Sequence, residues 1–177
     1  QFYNSHPGIS MSVAEGTPER LSKLLEAGEI DVAIMGRPEG FHPRFDVQPL
    51  YDERFLAAFP AGHRFERLNA VPVRALDGEN YLDRMNCEYA SHIDGIMAGC
   101  GCAVNVVYGS ERDDWIQNMV AGGMGVCCIP EFSAIVAGVL TRPLNDPDIW
   151  REVCLVTMAG RRYSPARYGI VAVVLGL

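Results

Sequence analysis

The sequence predicts an α/β protein of two similar lobes. Two observations carry this: a loop, helix, tight turn and strand in one unit over residues 15–36, and a second unit with the same punctuation over residues 108–131. An extended segment joins them. In open α/β sheets ligands sit at the carboxyl ends of strands against helix N-termini, so the capped loops of both units are expected to face a cleft between the lobes.

In the first unit Thr17 caps the free N–H groups and Pro18 takes the first helical position, where a missing N–H costs nothing. Leu21, Leu24 and Leu25 share one helical face, while Glu19, Arg20, Lys23 and Glu26 stay wet. Gly28 ends the helix. The run from Asp31 to Met35, closed by Gly36, suits a parallel strand covered on both faces. In the second unit Ser110 is the cap and Asp113 the third residue of a capping box. Trp115, Ile116, Met119 and Val120 form the apolar stripe, Gly122, Gly123 and Gly125 the turn, and Val126 to Ile129 the buried strand.

The remaining chain fills in around these units. Gln1 to Gly8 reads as the end of a helix stopped by Pro-Gly, with neither region of a signal peptide. Ile9, Met11 and Val13 alternate with small residues and predict a half-exposed strand. Phe45 to Tyr51 is a short strand that Pro49 interrupts and makes peripheral. Arg54 to Pro60 and Val153 to Met158 are strand-like runs. Between them lie a weak helix over Val71–Leu76, a strand over Tyr81–Met85, a helix over His92–Ala98 boxed by Ser91 and Asp94, a strand over Ala103–Tyr108, a short helix over Phe132–Ala137, a strand over Val139–Leu144 and a turn at Asn145–Asp148. Ser164 and Pro165 open a final amphipathic helix with Tyr168, Val171, Ala172 and Leu175 as its stripe.

Composition narrows the classes. Of 177 residues, 49% are apolar and 21% charged, which is ordinary globular usage with a core of useful size. No apolar run approaches the length of a membrane span. A net charge of −7 offers no footprint for nucleic acid, so any DNA contact would lie outside this chain. The six cysteines, at 87, 100, 102, 127, 128 and 154, show no disulfide framework, and vicinal Cys127 and Cys128 in a strand point to opposite faces. Reduced thiols of a bacterial cytoplasm are the plain reading.

Several stretches together resemble a known family: EGTPERLSKLLEAGEIDVAI from Glu15, FDVQPLYDER from Phe45, Ala61-Gly62-His63, and NMVAGGMGVCCIP from Asn118. In order and spacing they are similar to the effector-binding domain of LysR-type bacterial transcriptional regulators, and the resemblance spans nearly the whole chain. It implies two Rossmann-like lobes joined by two crossing strands, like type II periplasmic binding proteins. Lobe I would comprise residues 1–57 and 157–177, without its first strand and most of its first helix, and lobe II residues 58–156. It further implies a small-molecule effector in the inter-lobe cleft, a homodimer or homotetramer, and DNA binding through a separate helix-turn-helix.

Candidate ligand contacts are Gly16, Thr17, Pro18, Gly36 and Arg37 in and directly after the first unit, and Asn86, Cys87 and Ser110 in the second lobe. A helix N-terminus receives a carboxylate through its free donors and dipole, although Thr17 and Ser110 serve equally as caps alone. Arg37 suits an anionic effector. Cys87, ahead of a helix, is expected to have a lowered pKa. Counting back from Asn118, it falls where peroxide-sensing members of the family place their reactive cysteine. Their partner position falls on Ile96, leaving Cys100 and Cys102 as substitutes. One Cys-x-Cys near Cys87 and His92 is too weak a pattern for a metal site, and no cofactor is expected. Serine-elbow, P-loop, zinc-protease and dinucleotide fingerprints are all lacking, which argues against an enzyme. A solute-binding protein, sharing the fold but needing a signal peptide, is the distant alternative.

Overall fold

The computed structural model describes residues 8–85, 87–161 and 169. The chain divides into two compact units, Gln1–Tyr51 with Glu152–Leu177, and Asp52–Arg151. Both divisions fall inside long strands, β2 (Phe45–Pro60) and β8 (Trp150–Met158), and so ahead of the 57/58 and 156/157 boundaries read from sequence. A strand that runs on unbroken carries no local mark of where it changes partners.

In the first unit α1 (Pro18–Ala27) forms as its punctuation predicts. The Thr17 hydroxyl accepts from the Arg20 N–H at 3.4 Å, and Gly28 adopts the left-handed conformation, φ 75°, that ends the helix. Arg161 adds two donors to the last turn, at 3.2 Å to the Leu25 carbonyl and 3.1 Å to that of Glu26. Leu21 and Leu25 pack with Ala33, Met35, Phe45, Cys154 and Val156. The strand after the helix departs from expectation. β1 is only Ala33–Met35, it pairs antiparallel with β8, and Ile34 on its outer face is 52% exposed. An apolar run marks a buried strand; its partner's direction is set by how the distant β8 returns.

Ile9 to Val13 forms no strand, and Met11 and Val13 are exposed. Phe45–Tyr51 is no separate strand but the first half of β2, largely exposed after the buried Phe45. Pro49 lies ahead of Phe55, where pairing with β6 (Cys127–Pro130) begins, and ahead of the pairing with β7 (Val139–Asn145), so its missing N–H takes nothing from those two ladders; β2 also neighbours β8 in the sheet. The helix end expected over residues 1–7 and the final helix, at residues 162–168 and 170–177, lie outside the described residues.

In the second unit β4 (Asn80–Arg84) and β5 (Asn105–Ser110) pair parallel, and a parallel bridge from Tyr81 to Val126 leads into β6 (Cys127–Pro130). β6 and β7 (Val139–Asn145) both pair antiparallel with β2, and β3 (Val71–Pro72) pairs parallel with β7. All of β6 is buried. Its alternation separates two cores: Cys128 with Phe55, Ala57 and Phe59, and Cys127 with Ala58, Leu82, Ile116 and Val120.

The local helix signals here yield to packing. α2 spans Ala90–Gly99, starting before the Ser91 box; its N-cap Tyr89 makes no capping bond but is buried, its ring 5.7 Å from Phe55. α3 spans Asp113–Ala121 with Arg112, not Ser110, at its N-cap. Trp115 stands 48% exposed beside the Arg112 guanidinium, and Gln117 takes the buried place expected of it. The Gln117 amide explains why Phe132–Ala137 is not a helix: it donates to the Ser133 carbonyl (2.8 Å) and accepts from the N–H groups of Ile135 (3.0 Å) and Val136 (3.1 Å). Only Glu131–Ser133 turns, as a 3-10 helix, and Val71–Leu76 likewise divides into β3 and a 3-10 turn.

Candidate functional site

The carboxyl ends of β4, β5 and β6 mark one end of the second unit, at Arg84, Ser110 and Pro130. There the Arg84 guanidinium forks onto Asp113 at the start of α3, Nε to Oδ1 at 2.9 Å and Nη2 to Oδ2 at 2.6 Å. Burial works against that cation, yet the Asp113 carboxylate more than restores it and holds the pKa above the usual arginine value. The remaining Nη1 lies 3.5 Å from the Cys87 sulfur. Ser110 is the last residue of β5, and its hydroxyl accepts from the Arg112 N–H at 3.1 Å, closing a turn rather than capping the helix. Beyond β6, Phe132 is 66% exposed. A cavity of about 10 Å³ lies under Arg84 and Cys87, walled by Tyr81, Asp83, Asp94 and Cys128. That is room for one water.

Cys87 corrects one expectation. Burial pushes its thiol above the ordinary range, and Arg84 and the Tyr89 backbone N–H only partly pull it back. Position ahead of a helix does not outweigh desolvation here. All six cysteines are free. Cys100 follows the last residue of α2 and Cys102 is buried beyond it, so the ten residues of α2, about 15 Å at 1.5 Å each, separate them from Cys87. Among the described residues no group of three or more His, Cys, Asp or Glu side chains is placed to hold a metal.

The buried thiols give the fold a pH dependence of definite sign. Burial pushes Cys128 up to about 12 and Cys127 higher still, from an ordinary 9.0. Above pH 9 the unfolded chain therefore releases protons that the folded chain keeps, and stability falls as pH rises. At about 1.4 kcal/mol per pH unit for each thiol, the loss by pH 10 is on the order of 2–3 kcal/mol. Urea unfolding at pH 8 and pH 10 measures it, and the double substitution Cys127→Val with Cys128→Val should reduce the difference by about that amount; an equal loss in that variant would assign the effect elsewhere.

In the first unit Thr17 and Pro18 stand at the N-terminus of α1, and Gly16 packs against the Arg20 side chain, to which an added Cβ would come within 2.9 Å. Gly36 is buried directly after β1, and Arg37 follows half-buried. The Arg37 Nε stands 3.7 Å from Glu39 and makes no hydrogen bond among the described residues. Asn86 lies outside the described residues. The structure thus groups Cys87 and Ser110 at one end of the second unit, and places Thr17 and Arg37 at two element ends of the first.

Sequence reading missed a trio. Glu53 is 1% exposed; its Oε1 accepts from Arg151 Nε at 2.7 Å and Nη2 at 2.6 Å, and its Oε2 from the Phe132 N–H at 3.1 Å. Arg151 also donates to Glu88. Nothing local marks these residues, because Glu53 and Arg151 stand in charged stretches that read as solvated faces.

A family model described as the LysR substrate binding domain matches residues 1–175. The hydrogen peroxide-inducible genes activator of Haemophilus influenzae is 25% identical over 167 residues, 91% of this chain and 54% of that protein. A probable hydrogen peroxide-inducible genes activator of Mycobacterium avium is 30% identical over 139 residues, 77% of this chain and 44% of that protein. The chain spans about half the length of these curated relatives. Among solved structures, the Synechocystis PCC6803 CcmR regulatory domain in complex with 2-PG superposes with TM-score 0.88 at 18% identity, covering 99% of this chain and 86% of that one. A reduced form of OxyR from N. meningitidis does so with TM-score 0.78 at 24% identity, covering 99% and 84%. These likenesses share the α/β fold of LysR effector domains, which is that of type II periplasmic binding proteins.

Proposed function

Because this chain belongs to the LysR substrate-binding-domain family, we propose that it is the ligand-sensing and oligomerisation domain of a LysR-type transcriptional regulator, responding to a small anionic effector. The observation that carries the reading is the match across residues 1–175 in a chain where three strand ends meet beside a helix N-terminus. The contacts proposed are Gly16, Thr17, Pro18, Gly36 and Arg37 in the first unit and Asn86, Cys87 and Ser110 in the second. Arg37, with an Nε that makes no hydrogen bond among the described residues, is the cation we assign to the anion. The effector would shift a dimer or tetramer that sets a helix-turn-helix, outside this chain, on DNA in a bacterial cytoplasm. The chain itself carries −7, and the curated relatives it resembles are regulators. No helix among the described residues is long and apolar enough to cross a membrane.

A thermal-shift screen with small organic acids tests the proposal. Ligand at 100 times its dissociation constant should stabilise by about 2.7 kcal/mol, and Arg37→Met should abolish the shift. A shift that Arg37→Met leaves intact would overturn the assignment of the anion to Arg37. Sedimentation at high micromolar concentration tests the dimer, and a monomer would count against it.

The contact between Arg84 and Cys87, in a chain similar to peroxide-inducible activators, favours a thiol sensor as the second reading. The raised thiol pKa and the length of α2 weigh against it. Stoichiometric formation of a Cys87–Cys100 or Cys87–Cys102 disulfide at micromolar peroxide would reverse that preference.

A further inference from the structure

We propose that Glu53, Arg151 and Glu88 form a relay that couples the loop bearing Cys87 to the two strands on which the chain enters and leaves the second unit. Arg151 is the last residue of the unit before the chain departs along β8, and Glu53 is the second residue after the chain arrives along β2. One guanidinium bridges two carboxylates: its Nε and Nη2 both meet Oε1 of Glu53, and its Nη1 reaches Glu88, the residue after Cys87. Glu53 is nearly sealed from water, and Arg151 and Glu88 are 15% and 17% exposed.

The relay reaches two of the three strand ends of the candidate site. Glu88 belongs to the turn after β4, which is closed by the Cys87 N–H to the Arg84 carbonyl (2.9 Å) and the Ala90 N–H to the Cys87 carbonyl (3.0 Å). Glu53 meanwhile holds the Phe132 N–H in the segment after β6. Two carboxylates share one cation in a poorly hydrated place, so neither ion pair is independent: loosening Arg151 from Glu53 alters its grip on Glu88. Two N–H groups of one planar guanidinium converge on a single Glu53 oxygen, an arrangement that a small displacement of either strand would disturb. Movement of the turn after β4 is therefore transmitted to β2 and β8 through charge, not only through backbone. The relay's use in signalling rests on the ligand-sensing reading above; the coupling itself needs no effector.

The test is a double-mutant cycle read at Cys87. In a Cys100→Ser background, the rate of Cys87 labelling by N-ethylmaleimide, expressed per thiolate from a pH profile, reports how often the turn opens. Buried Cys127 and Cys128 must stay unlabelled, which certifies that the variant is folded. Glu53→Gln, which touches neither Cys87 nor its turn, should raise the rate threefold or more, the order expected when directly linked residues couple. In a Glu88→Ala background, where the turn is already released, Glu53→Gln should change nothing further. Arg151→Lys, which keeps the charge but loses the two converging N–H groups, provides the same cycle if Glu53→Gln does not fold. An equal multiplication of the rate in both backgrounds, or no effect of Glu53→Gln or Arg151→Lys in either, overturns the relay. Because no organic acid is used, failure here leaves the ligand screen standing, and failure of the screen leaves this result standing.

Discussion

Replacing Arg151 with alanine is expected to lower the stability of the protein by about 3–5 kcal/mol, the range for removing one partner of a buried ion pair. The cost arises from what remains. Glu53, 1% exposed, would keep a negative charge with the Phe132 N–H as its remaining donor among the described residues, and Glu88 would lose the Arg151 cation as well. A buried uncompensated carboxylate is far more costly than the lost pair is favourable, because desolvation is no longer repaid. The size of the loss should therefore depend on Glu53. Arg151→Met combined with Glu53→Gln should recover much of it, since an uncharged pair of similar volume leaves no ion to desolvate. Urea denaturation of the three proteins measures this, and a single-variant loss under 1 kcal/mol, or no recovery in the double variant, would contradict it. Domains are stable by only about 5–15 kcal/mol, so the single variant should also express poorly.

The second large effect is expected at Gly125. A Cβ built there would stand 2.4 Å from the Asn80 carbonyl oxygen and 2.9 Å from its carbon, which is backbone and cannot swing aside. The same carbonyl accepts the Val126 N–H at 2.8 Å, and the Val126 carbonyl accepts from Leu82 at 2.9 Å, so the clash falls on the junction of β4 and β6. Overpacking of about 1–3 kcal/mol, together with one or two weakened ladder bonds at about 1 kcal/mol each, predicts a loss of roughly 2–5 kcal/mol for Gly125→Ala. Gly123→Ala is the control. Its φ of 82° strains an alanine, but the space around it is open, and the cost should be about 1–2 kcal/mol. A larger loss at 123 than at 125 in thermal unfolding would contradict the close approach as the reason for the glycine.

These two glycines show where sequence reading reaches its limit. Gly122, Gly123 and Gly125 read alike as the turn of a repeated unit; the structure gives Gly123 a backbone conformation and Gly125 a steric exclusion, and only the second depends on a strand forty-five positions earlier. The same division runs through the site. Thr17 and Pro18 could be placed at a helix N-terminus because a cap acts within four residues. Ser110 and Ser91 carried the same local signal and cap nothing, since Arg84 claims Asp113 and Tyr89 is seated on Phe55. Cys87 could be located but not titrated, because its pKa depends on how much water the rest of the unit removes.

The sequence by itself determined the family, through the order and spacing of its motifs, and the local units whose causes are short-ranged: the Thr17-Pro18 start and Gly28 end of α1, the burial of Val126 to Ile129, and the opposite facing of Cys127 and Cys128. Only the tertiary structure decided that β1 runs antiparallel to β8, that Gln117 and not Trp115 lies inward, and that Glu53, Arg151 and Glu88 form one buried ionic group. The physical reason is range. Capping and side-chain alternation act over a few residues, whereas strand direction and the desolvation of a charge depend on which distant segments arrive, here residues ninety-eight positions apart.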